Sequence, residues 1–173
     1  MPLSLYDITV PSFLQTLGAL DALLDKAQAH CASKGVAPSA CINARLFDDM
    51  MPLSFQVSQT VTHSAGAVEA VKVGVFSPST TAPPDTFAGL KELVAGGINR
   101  LHQCAPADLN GREGRDMRFE FRDRVLPFTS EGFLLSFSIP NFYFHAATGY
   151  DILRHLGVAI GKRDFLGQLR LKQ

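Results

Sequence analysis

Apolar residues recur at helical spacing over four long stretches of the chain. In the first, Leu14, Leu17, Leu20, Leu24, Ala27 and Cys31 lie three or four apart and share one helix face. Ser4 and Asp7 are spaced to cap each other, Pro11 fits the opening turns, and Gly35 suits the turn that ends a helix. The pattern predicts a helix over about 4–34. A connector over 36–51 follows, with Pro38, the acidic pair Asp48-Asp49 and room for a short helix over 39–47. Pro52 then opens a second long helix reaching about Gly74. Its apolar stripe is Leu53, Val57, Val61, Val68 and Val71. A neighbouring stripe, Gln56, Thr60, His63, Ala67 and Ala70, is small or polar and lets another helix come close.

The stretch 77–85 is a proline-rich loop. Asp85 or Thr86 can cap a third helix whose core face is Phe87, Leu90, Val94, Ile98 and Leu101. Gly96-Gly97 inside it costs stability, roughly 1 kcal/mol per glycine relative to alanine. Alternation in Arg118-Phe119-Glu120-Phe121, a charged turn and Val125-Leu126-Pro127-Phe128 predict a small hairpin. A last helix runs over about 131–156, capped by Thr129 or Ser130 and ended by Gly157. Pro140 must kink or split it, because its ring displaces the bond to the Ser136 carbonyl. The fold class is therefore all-α, a four-helix bundle with a small β-hairpin before the last helix, in one domain over 1–173.

Composition narrows the function. The formal net charge is +0, so nothing holds a phosphate backbone and nucleic acid is not an expected partner. Only 18% of residues are charged, below the usual quarter; a surface covered by a second copy, a homodimer, accounts for that. The N-terminus lacks a basic region followed by an apolar run, which is not the pattern of a secretory signal. The most apolar stretch, 133–150, contains Pro140, Asn141 and His145 and is too short and polar to span a bilayer. No membrane partner is expected, and the expected location is cytoplasmic. Three widely spaced cysteines, Cys31, Cys41 and Cys104, with no Cys-x-x-Cys pair, read as reduced thiols.

Five histidines carry the candidate chemistry. No His-Glu-x-x-His motif, nucleophile elbow, Walker loop or dinucleotide fingerprint is present. His145 and His155 are ten apart, so they point about 80° apart around the helix. His30 and His102 fall near helix C-termini, where a histidine suits the helix dipole. His63 and His145 lie on separate long helices beside apolar stripes. Facing helices can bring such residues together as a ligand or metal site, or each can be a core histidine with its own hydrogen-bond partner. Arg154 and His155, with Lys162-Arg163-Asp164 beyond, either clamp an anion or anchor the tail by ion pairs. The aromatic run from Phe133 to Phe144 is core or the wall of an apolar pocket.

Three motifs carry a resemblance over essentially the whole chain. They are Pro140-Asn141-Phe142-Tyr143-Phe144-His145 with Tyr150-Asp151-Ile152-Leu153-Arg154-His155-Leu156-Gly157-Val158 and Gly161-Lys162-Arg163-Asp164-Phe165-Leu166-Gly167; Ala44-Arg45-Leu46, Asp49-Met50, Pro52-Leu53 and Gln56-Val57; and Leu5-Tyr6-Asp7 with Val10-Pro11. The chain resembles a family of unknown function within the DinB/YfiT-like metalloenzyme superfamily of four-helix bundles, which are often dimeric. The resemblance implies a divalent ion, zinc or nickel, held by one histidine of the second helix and two, spaced four apart, of the last. His63 and His145 match the first two positions, and the third falls on Gly149, which has no side chain. It also implies transfer or isomerisation chemistry using small thiols.

The expected function is a bundle that binds or converts a small, partly apolar molecule between its helices. His145 and His63 are the candidate catalytic residues and the candidate metal ligands. Gln56, Asn141, Tyr150 and Arg154 are the candidate substrate-binding residues. The residues themselves require no cofactor. Two alternatives stand beside this reading: a divalent-metal-dependent thiol transferase with a degenerate histidine site, and a non-catalytic dimerising protein in which the same residues are structural.

Overall fold

The computed structural model describes residues 3–172. The first helix, α1 (Leu5–Lys34), starts at Ser4, whose hydroxyl accepts from the Asp7 backbone while the Asp7 carboxylate accepts from the Ser4 backbone. Pro11 sits inside it and Gly35 ends it at φ 64, in the left-handed region. That turn folds a short helix, α2 (Pro38–Ile42), back on the end of α1. Cys31 and Cys41 are thereby joined as a disulfide, whereas the odd cysteine count predicts free thiols; Cys104 is free and buried. Ten residues of separation say nothing about this pairing, which the turn at Gly35 decides.

The second long helix, α3, runs over 53–73 with Pro52 as its cap residue. It is α-helical over Leu53–Val61 and Ala67–Val73, with a π-helical turn at Thr62–Gly66 between them. A single periodic stripe gave no sign of that turn. The third long helix, α4 (Phe87–His102), is capped by the Thr86 hydroxyl. A short helix, α5 (Pro106–Leu109), follows and is tied to α3 by the Lys72–Asp108 ion pair. The last long helix, α6, runs unbroken over 130–155 from its cap at Thr129, with a π-helical turn at Phe133–Ser138.

That second π turn is how α6 accommodates Pro140 without the expected break. The Ile139 amide bonds back to the Leu134 carbonyl, five residues earlier, and the Asn141 side chain donates to the Phe137 carbonyl at 2.7 Å. Both bonds satisfy backbone beside the position where proline offers no N–H. The tail helix, α7 (Lys162–Leu166), lies on α1, held by the Lys26–Asp164 ion pair and the Gln15 amide on the Leu166 carbonyl.

The four long helices close a ring in which α1 borders α4, α4 borders α3, α3 borders α6 and α6 borders α1. Their shared core holds Phe13, Leu17, Leu24, Leu53, Leu90, Phe133 and Phe142, each fully buried. The hairpin is present as β2 (Asp116–Phe121) and β3 (Arg124–Thr129), paired antiparallel. A strand the sequence did not announce, β1 (Val75–Phe76), pairs in parallel with β2. Only two residues long, it follows directly on Gly74, which ends α3 at φ 83. A hairpin alone is marginal in water. This one is fastened by an aromatic cluster in which Phe119 and Phe128 of the sheet meet Phe137 of α6 at ring distances of 5.1 and 5.7 Å. Among the described residues no helix is long and apolar enough to cross a membrane.

The two adjacent glycines of α4 have opposite surroundings. Gly96 has open space around it, whereas a Cβ at Gly97 would lie 2.9 Å from Cγ1 of Val61, a stiff β-branched side chain. Gly96→Ala should therefore stabilise the protein by about 0.5–1 kcal/mol. Gly97→Ala should destabilise it by about 1–2 kcal/mol, because overpacking outweighs the gain in helix propensity. Urea denaturation of the two variants measures both signs.

Candidate functional site

Three residues that the sequence singled out come together where α3 faces α6. Gln56 and His63 lie seven residues, two turns, apart on α3. His145 reaches across from α6 and stacks on His63, with ring centroids 5.8 Å apart and planes 17° apart. Phenylalanines enclose the pair. Phe76 and Phe137 lie against His63 at 5.3 and 5.7 Å, and Phe55 and Phe144 meet His145 edge-on at 6.0 and 5.3 Å. His63 is the inner ring, 6% exposed. His145 is half-buried beside Phe144, which is 59% exposed.

Two π turns frame this site. His63 lies inside the turn of α3, and its carbonyl accepts a 2.8 Å bond from the Ser138 hydroxyl, at the end of the turn of α6. Such turns occur often at functional sites. No sequence signature marks one, although Pro140 signals an irregularity in α6.

The polar groups here are unequally satisfied. The Gln56 amide nitrogen donates to the Met51 carbonyl at 2.9 Å, and its oxygen accepts from His145 Nδ1 at 2.8 Å. His63 Nδ1 has no partner; it is the one buried side-chain nitrogen or oxygen so placed among the described residues. An unpaired buried polar atom costs on the order of 1–3 kcal/mol. Burial pushes both imidazoles down, from 6.5 to about 4, and for His63 the nearby His145 adds to the effect. Both rings are therefore neutral at neutral pH.

The other candidates serve different ends. Asn141 is spent on the Phe137 carbonyl, one helical turn before His145. Tyr150 packs on Phe165 of α7 at 5.6 Å, and Arg154 reaches the Val158 carbonyl at 3.4 Å, so both hold the C-terminal segment. Sequence reasoning missed the aromatic wall formed by Phe55 and Phe76. These phenylalanines belong to different elements and meet the histidines only in the fold.

Two imidazoles do not complete a three-histidine metal centre. A Cβ at Gly149 would sit 3.7 Å from Cβ of Gln56 and 3.8 Å from Cδ1 of Leu53, so packing, not a ligand, follows His145 one turn later. Among the described residues no group of three or more His, Cys, Asp or Glu is placed to hold a metal ion. Two clefts lie away from the histidine pair. One, about 770 Å³, separates α1 from the tail. Another, about 660 Å³, lies between α3, α4 and the 75–84 segment and shares only Phe76 with the wall around His63.

The neutral pair makes stability depend on pH. The unfolded chain binds more protons than the native one between the ordinary 6.5 and about 4. Stability is therefore complete above that window and falls as pH drops through it. The ceiling is about 1.4 kcal/mol per pH unit per histidine, with half-buried His145 the smaller contributor. The carboxylates of Asp7, Asp108 and Asp164 are held below the usual carboxylate range by capping bonds or lysine partners and so titrate beneath this window, and the Gly114 amide holds Glu131 below its ordinary value. Urea denaturation at stepped pH should show the decline, and His63→Phe should remove the larger part of it.

Comparison with known proteins agrees with this architecture. The model of the domain of unknown function DUF1993 matches residues 5–166. The crystal structure of a DinB family member protein from Shewanella denitrificans superposes with a TM-score of 0.82 at 31% identity, covering 98% of this chain and 95% of that one. No curated protein matches the chain. The chain thus belongs to the DUF1993 family, a DinB-like family of unknown function.

Proposed function

We propose that the Gln56–His63–His145 cluster binds a small, partly apolar molecule, and that His145 is the residue that touches its reacting or recognised group. The observation that carries this reading is the unpaired, buried Nδ1 of His63, stacked behind a histidine that reaches the surface. Natural cores pair such atoms, and an exception calls for a reason such as a catalytic role or a bound water or ion. The surrounding phenylalanines supply the apolar part of the site, and Asn141 keeps the backbone of α6 satisfied just ahead of His145. A neutral imidazole near the surface can accept a proton or a hydrogen bond.

The degenerate metal centre is the second reading. Two neutral imidazoles at this separation supply two ligands, and water would have to supply the rest.

The first measurement is the stability of His63→Phe, which keeps the ring contacts and deletes both nitrogens. A functional His63 gives a variant as stable as the parent, or more stable by about 1–2 kcal/mol. A loss of several kcal/mol would show that His63 is a structural core residue and would end this reading. Metal content of tag-free protein, dialysed without chelator, separates the second reading. Near-stoichiometric zinc or nickel that disappears in His145→Ala assigns the metal centre instead.

A further inference from the structure

We infer that Gln56 fixes His145 as a hydrogen-bond acceptor, so that the site takes a neutral molecule with a donating hydroxyl on an apolar body. This rests on the proposed binding role of the cluster and names the chemistry of its ligand. The argument runs through three atoms. The Met51 carbonyl can only accept, so the Gln56 atom 2.9 Å from it is the amide nitrogen. The other end of the same amide, the oxygen, then faces His145 Nδ1 at 2.8 Å. An oxygen without hydrogen can only accept, so Nδ1 carries the proton. A neutral imidazole has one such proton, and Nε2 is left with a bare lone pair.

The surroundings decide what meets that lone pair. No charged side chain hydrogen-bonds to Gln56, His63 or His145 among the described residues; the ion pairs of the chain lie elsewhere, on α1, the outer faces of α3 and α4, and the sheet. An anionic head would find a lone pair and no cation. An ammonium head would find a lone pair but no counter-charge to offset its desolvation. A neutral hydroxyl donates to Nε2 at no such cost. The rings of Phe55 and Phe144, both in contact with His145, present apolar surface to the rest of the molecule.

The test is nitrogen-15 NMR of the histidine side chains at neutral pH, first without ligand. The expected result is His145 in the Nδ1–H form, shifting to a mixture of both tautomers in Gln56→Met. A wild-type His145 protonated on Nε2 overturns the inference directly, whatever the fate of the binding site itself. Phenol, anisole and benzoate are then titrated into the wild type. Phenol should displace the His145 Nε2 signal and saturate, with anisole and benzoate roughly tenfold weaker, the ratio one neutral hydrogen bond supports. Benzoate or anisole binding as well as phenol overturns the ligand class while leaving the site. Failure of every probe at a correctly protonated His145 counts against the binding reading, on which the ligand class depends.

Discussion

The hydroxyl of Ser138 donates to the carbonyl of His63, and through that bond the irregular turn of one helix is fastened to that of another. Each π turn inserts a residue relative to an α-helix, which rotates everything downstream by about 100°. In α6 the rotated segment begins at Ile139 and carries His145. In α3 it begins at Ala67 and carries Val68, Ala70 and Val71 into the core. Without the turn in α6, His145 would point about a quarter-turn away from α3. Both partners of the bond are buried, so neither group has water as an alternative. The two helices are thus held at the phase that stacks the imidazoles.

Around that stack the protein holds polarity in an apolar setting at a cost. Four phenylalanines shield two rings that would otherwise titrate near neutrality, the inner one almost completely and the outer one in part. Burial keeps the rings uncharged, and Gln56 satisfies only the outer one. The small sheet supports this enclosure from outside: β1 delivers Phe76 against His63, while Phe119 and Phe128 brace Phe137 from behind. The hairpin therefore contributes to the site without lending it a polar side chain.

The tail and connector act at a distance from the histidines. Phe165 covers Tyr150, and Asp164 pairs with Lys26, which fixes the C-terminal segment on α1. The disulfide between Cys31 and Cys41 seats α2 under the end of α1. From there the chain leads to Met51, whose carbonyl orients Gln56. Residues that the motifs grouped together, such as Asn141, Tyr150 and Arg154, thus divide into helix repair and tail anchoring.

The sequence by itself determined the four long helices, the cap at Ser4, the caps of the third and last to within one residue, the stop at Gly35 and the hairpin. These features follow from interactions within a few residues: periodic apolar faces, hydroxyls one turn from free amides, and alternation across a turn. It also marked Gln56, His63 and His145 as polar positions beside apolar stripes, and helix geometry let them face one another. Only the tertiary structure decided the two π turns, the strand at Val75–Phe76, the cysteine pair and the contact of Gln56 with His145. The strand, the Gln56–His145 contact and the bond that fastens the π turn of α3 need partners far along the chain, whereas the cysteine pair follows from the turn at Gly35 and the π turn of α6 goes with Pro140. The π turn of α3 is held because Ser138 of the neighbouring helix satisfies the His63 carbonyl, and the Gln56 amide takes its orientation because the Met51 carbonyl can only accept, which aims its oxygen at His145.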